Sequence, residues 1–142
     1  MNCSGPSMAR PTRTKPVSTA QVRAYAGKAD EFADAAASEV LAGRYIAATS
    51  LAIHAGINAA DAVCGARLGE RAAGEDHDQV LSLLRQAGPD GAKVGKELRR
   101  LLPLKTKAEY EPDDVAPRVA TKAVERAERC AQVARAVAAA LR

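Results

Sequence analysis

Alanine supplies 33 of the 142 residues, and this single excess narrows the fold more than any other feature. It has the highest helix propensity and the least to offer a pleated surface. Aromatic residues, which favour strands, make up only 3% of the chain: one Phe, three Tyr and no Trp. A β-sandwich or barrel is disfavoured, and the expectation is an all-α, up-and-down bundle of about five helices. The length suits one domain with one core. The 47% apolar and 27% charged residues are those of a folded chain. No apolar run approaches the roughly 18–20 residues of a membrane-spanning helix. The first residues lack the hydrophobic stretch of a secretory leader. Cys3, Cys64 and Cys130 are odd in number and widely spaced, so they form neither a disulfide framework nor a ligand pair. The expectation is a cytoplasmic protein without membrane association, structural metal or cofactor.

The net charge of +4 is unevenly placed. Arg10, Arg13 and Lys15 lie in a stretch with three prolines and no acid, and residues 1–17 read as a disordered basic arm. Met8 is an alternative start. Residues 18–142 are nearly balanced and read as the folded domain, so the overall basicity does not by itself mark that domain as a nucleic-acid binder.

Helical spacing then divides the domain. Ser18 or Thr19 caps a helix running to about Leu41, with Val22, Tyr25, Ala29, Phe32, Ala36 and Val40 as its buried stripe. A second helix runs from about Arg44 to Leu68. Small residues (Ala48, Ala52, Ala55, Gly56, Ala59, Ala60) line one side, and apolar residues cover most others, as in a central helix. Gly69 and Gly74 bracket a polar loop. Asp76 caps a short helix over about His77–Ala87, and Gly88-Pro89-Asp90-Gly91 reads as a turn. The fourth helix starts near Gly91 or Ala92 and carries Val94, Leu98, Leu101 and Leu102. Pro103 kinks or breaks it, with a last turn or two through Tyr110. After an acidic connection at 111–116, in which Asp114 is a potential cap, the last helix covers about Arg118–Leu141.

Few residues offer chemistry. Ser50, His54, Asn58 and Asp61 fall at i, i+4, i+8 and i+11 of the central helix, one polar stripe on an apolar rod. It reads as a narrow solvated edge or a satisfied polar network, with a catalytic role as the alternative. Its spacing fits no zinc signature. His77 reads as part of a capping turn, though Arg71 precedes it at R-x(5)-H spacing. Between Lys93 and Lys107 six basic residues are opposed only by Glu97. Lys93, Lys96 and Arg100 share one helix face and, with Lys105 and Lys107, form either a phosphate-binding surface or a solvated one. Phosphate loops, dinucleotide fingerprints and zinc-protease motifs are absent.

The order of these parts resembles the HEPN superfamily. Gly43-Arg44-Tyr45 opens a small-residue helix. A glycine-bearing turn ending at His77, a leucine-bearing helix, the segment Lys105-Thr-Lys-Ala-Glu-Tyr110 and a long Ala/Glu/Arg-rich final helix follow. Residues 105–110 are similar to the family's R-N-K-A-D-Y-like segment, with Lys105, Thr106 and Glu109 at its Arg, Asn and Asp. The resemblance spans roughly residues 20–141. It implies a helical bundle, a homodimer and, in some members, a nucleotidyltransferase-like partner protein. Many members are metal-independent RNases carrying R-x(4–6)-H, among them toxins of toxin–antitoxin pairs. Here no His follows the fourth helix, and Arg71…His77 keeps the spacing in a different loop. A Tyr, with an ordinary pKa near 10, is a poor base at neutral pH, and Lys lacks the fork of Arg.

The reading is therefore a bacterial, non-catalytic interaction or RNA/nucleotide-binding component, of a toxin–antitoxin or defence system. One alternative is an RNase toxin with a non-standard site drawn from Lys105, Tyr110, His54, His77 and Arg71. A DNA-binding regulator acting through the basic arm is the second.

Overall fold

The computed structural model describes residues 13–74 and 76–142. Cys3, Met8, Arg10 and most of the expected arm lie outside that range. The elements are β1 (Thr14–Pro16), α1 (Thr19–Leu41), α2 (Tyr45–Leu68), β2 (Glu70–Ala72), α3 (His77–Arg85), α4 (Gly88–Leu101), α5 (Leu104–Glu109) and α6 (Pro117–Ala139). The fold is an all-α bundle with six helices among the described residues rather than five, because Pro103 separates α5 from α4.

Local chemistry sets the helix ends. Ser18 and Gln21 form a reciprocal capping box at the start of α1. Gly69, at φ +73°, ends α2 in the left-handed conformation that a Cβ would penalise. Asp76 accepts a hydrogen bond from the Asp78 amide and caps α3. Two expectations at helix starts need correction. Gly88–Gly91 is the first turn of α4, not a separate turn: Pro89 has no N–H to leave orphaned and suits a first helical turn. Asp114 does not cap α6, whose N-cap is Ala116 followed by Pro117 at the first helical position.

The expected arm is also corrected at its inner end. Thr14–Pro16 pairs antiparallel with β2, in the register Thr14↔Ala72, Lys15↔Arg71 and Pro16↔Glu70. The Thr14 hydroxyl donates to Glu70 (3.1 Å), the Val17 amide donates to the Gly69 carbonyl (2.9 Å), and Val17 is buried. The loop expected between Gly69 and Gly74 is thus strand β2 over its first half.

The central helix is α2, which packs against α1, α6, α4, α5 and β2. A Cβ on Gly56 would lie 2.9 Å from a Leu101 methyl, so α4 approaches the α2 backbone closely. By length and a mean hydropathy of 1.2 over its window, α2 is apolar enough to cross a membrane, which corrects the expectation that no segment is. It is the core helix of this bundle, with 56% of that window buried inside. On α1 the buried residues are Val22, Ala26, Ala29, Ala33 and Ala36, whereas Tyr25, Phe32 and Val40 are only half-buried at the edge.

Candidate phosphate-binding surface

The basic residues of α4 are placed by its amphipathic pattern. Val94, Leu98 and Leu101 bury one side against α2 and α6, which turns Lys93, Lys96, Arg99 and Arg100 outward. Arg99 and Arg100 also occupy the last turn, where the helix dipole favours cations. None of these four, nor Lys105 or Lys107, makes a salt bridge among the described residues.

Glu97, the acid expected to oppose them, is spent elsewhere. It is 8% exposed and faces α6. Arg126 Nη1 donates to Oε1 (2.9 Å), Arg129 Nε to Oε2 (2.8 Å) and Arg129 Nη2 to Oε1 (3.1 Å). The Arg129 hydrogen bonds, opposed by burial, hold the Glu97 carboxyl below its usual range. Between α4 and α6 lies a groove of about 430 Å³ lined by Asp90, Lys93, Lys96 and Glu97 from α4 and by Arg129, Gln132, Val133 and Ala136 from α6. Asp90 is itself paired with Arg67 of α2. Both acids of the groove are thus neutralised, and Lys93 and Lys96 are left over.

The other sequence candidates are dispersed. Lys105 and Lys107 are half-buried on α5, and Tyr110 is 74% exposed after it. His54 lies on α2 against Phe32 of α1, ring centroids 5.5 Å apart. The stripe Ser50, His54, Asn58 and Asp61 is half-buried along its length, and the Asn58 amide donates back to the His54 carbonyl (2.8 Å). Asp61, pushed up to about 6 by burial, is partly offset by Arg71 and Lys28. Arg71 lies over the Tyr25 ring, its guanidinium carbon 5.9 Å from the centroid. His77 instead lines a cleft of about 300 Å³ with Asp78 of its own helix, Arg99 of α4 and Thr106 of α5. Burial pushes the Cys64 and Cys130 thiols up to about 12, which leaves them unreactive. Among the described residues, no group of three or more His, Cys, Asp and Glu side chains could hold a metal ion.

Sequence reasoning missed the Glu97–Arg126–Arg129 cluster. Its signal was present in Glu97, an acid amid the buried leucines of α4, and in two arginines three residues apart on the last helix. Nothing in the spacing alone pairs elements about thirty residues apart.

The fold and surface define a class: an all-helical bundle with a small-residue central helix and a cationic flank. The HEPN domain family matches residues 22–140, and the chain belongs to that family. Membership carries a nucleotide- or RNA-related role in general terms. No curated protein matches the chain.

Proposed function

We propose that this protein is a cytoplasmic, non-catalytic component of a toxin–antitoxin or defence system that binds RNA or nucleotide through the cationic surface of α4 and α5. One observation carries this reading: both acids of α4 are held in ion pairs, Glu97 with Arg126 and Arg129 and Asp90 with Arg67, so Lys93, Lys96 and Arg100 face solvent without a salt-bridge partner among the described residues. Unpaired cations on one face bind phosphates by releasing counterions, and affinity then falls with salt. Lys105 and Lys107 extend the surface along α5.

Anisotropy of a labelled single-stranded RNA across a salt series tests it. With Lys93, Lys96 and Arg100 all replaced by Ala, the slope of log K against log salt should fall by roughly 2, at about 0.7 for each phosphate no longer neutralised. An unchanged slope places the binding elsewhere. Self-association as a homodimer belongs to the proposal and is read from the mass in solution. Binding to a nucleotidyltransferase-like protein is tested by copurification with such a protein.

The cleft lined by His77, Arg99 and Thr106, with Asp78 beside them, favours a second reading, a metal-independent RNase. An imidazole can take a proton while a guanidinium stabilises phosphorane charge. RNA cleavage in the presence of chelator, lost in both His77→Ala and Arg99→Ala, would replace the first reading with this one. Growth arrest on expression that persists in Lys105→Ala/Tyr110→Ala but disappears in His77→Ala would agree with it.

A further inference from the structure

The α4–α6 groove differs from the rest of the cationic surface in shape and in how its charges are held. Arg129 does not swing freely: its Nε and Nη2 are both bonded to Glu97, which fixes the guanidinium plane and leaves Nη1 unspent by that pair. Lys93 and Lys96 reach the same groove from α4. The acids there are already used, Glu97 by two arginines and Asp90 by Arg67, so neither opposes an incoming anion. Along α6 the lining passes through the polar Gln132 to the apolar Val133 and Ala136. The groove thus places a fixed guanidinium and two exposed ammonium groups beside Gln132 and a small apolar wall, in a volume of about 430 Å³. That volume lies in the range of small-ligand pockets and suits one nucleotide, not a strand.

Charge decides which part of a nucleic acid fits. An internal phosphodiester carries one negative charge and has chain on both sides. A terminal phosphate monoester carries nearly two at neutral pH and has chain on one side only. We propose that the α4–α6 groove is a binding site for the terminal phosphate monoester of a nucleotide or RNA end, with Lys93, Lys96 and Arg129 on the phosphate and the first base against Val133 and Ala136. This rests on the RNA-binding reading above and deepens it. Glu97 acts as the positioning residue that orients Arg129.

The test uses the full chain and three six-nucleotide RNAs of one sequence, bearing a 5′-phosphate, a 3′-phosphate or neither, with AMP as competitor. The expected result is at least tenfold tighter binding of one phosphorylated RNA than of the unphosphorylated one. Which end is preferred identifies the source of the monoester. AMP should compete, and Lys93→Ala/Lys96→Ala should erase the preference. Both lysines are exposed, so the variant keeps its helical circular dichroism. Glu97→Gln should reduce the preference at unchanged secondary structure, and Arg129→Lys should do the same because it keeps the charge but loses the fork. Equal binding of all three RNAs without competition by AMP overturns the groove assignment and leaves the RNA reading standing. No binding of any probe overturns both.

Discussion

The two halves of the core are filled in opposite ways. Where α1, α2 and α6 meet, the buried side chains are mostly alanine: Ala26, Ala29, Ala33 and Ala36 on α1, Ala48, Ala52, Ala55, Ala59 and Ala60 on α2, Ala120, Ala123, Ala127 and Ala134 on α6. Where α3 and α4 close the bundle, the buried residues are Leu83, Leu84, Val94, Leu98 and Leu101. Helix axes pack about 8–10 Å apart according to the side chains between them, and alanine allows the near end of that range. The first half is therefore filled chiefly by methyl groups and the second by larger side chains, of which Leu98 and Leu101 fit against α2 over Gly56. The two should fail differently: the leucine half through cavities, the alanine half through overpacking.

The largest effect should come from Leu98→Ala, which empties a fully buried site between α4 and its neighbours. A loss of about 2–5 kcal/mol in urea unfolding is expected. The converse change, Ala127→Leu, inserts bulk where α6 has none to spare and should cost about 1–3 kcal/mol. If Ala127→Leu is neutral, the alanine half has room for a larger side chain and the contrast fails.

Asp61 sharpens the contrast from the edge of α2. Burial raises its folded-state pKa to about 6, so the folded state holds its proton more tightly than the unfolded chain does. Stability is then lost as pH rises from about 4, the ordinary Asp value, to about 6, and stays reduced above that. Asp61→Asn should stabilise the protein by up to about 3 kcal/mol at pH 7 and have little effect below about pH 4. Melting curves at both pH values read this directly, and a gain that is the same at both would discard the burial argument.

Glu97 behaves with the opposite sign. Its arginine partners lower its folded-state pKa, so its contribution is complete above the ordinary carboxyl range. It is lost as pH falls below about 4. Glu97→Gln should cost about 1–2 kcal/mol at pH 7, moderated because Arg129 is half-exposed. That penalty should fade in acid. The smallest effect belongs to Arg135→Ala, which removes an exposed pair with Asp30 between α6 and α1. A loss below about 1 kcal/mol is expected if close packing, not charge, joins these helices. A larger loss would move weight from alanine to electrostatics.

The same contrast explains what was legible in the sequence. Ser18, Gly43, Gly69, Asp76 and Pro117 act locally, so the helix ends near them could be read within a residue or two. The leucines of α4 were legible because bulk at helical spacing is unambiguous. The stripe of α1 was misplaced toward Tyr25, Phe32 and Val40, because hydrophobicity ranks rings above methyl groups. In a core built on close approach the methyl groups of Ala26 and Ala33 win the buried positions. Strand β1 was invisible for another reason: three residues show no period, and its partner β2 lies more than fifty residues away. For the candidate site, the exposure of Lys93, Lys96 and Arg100 followed from their helix face. The removal of Glu97 from that face, and the placing of His77 and Arg99 on one cleft, depended on tertiary packing that spacing does not encode.

The stacking of Arg71 over Tyr25 has an optical consequence. With no tryptophan in the chain, near-ultraviolet absorption and emission come chiefly from three tyrosines. Tyr25 senses β2 through Arg71, Tyr45 heads α2, and Tyr110 stands in solvent beyond α5. Detachment of the small sheet should therefore appear as a change in Tyr25 light alone, and Tyr25→Phe should silence it. The protein carries an intrinsic, nearly single-residue reporter on the strand that ties its N-terminal side to the α2–α3 connection.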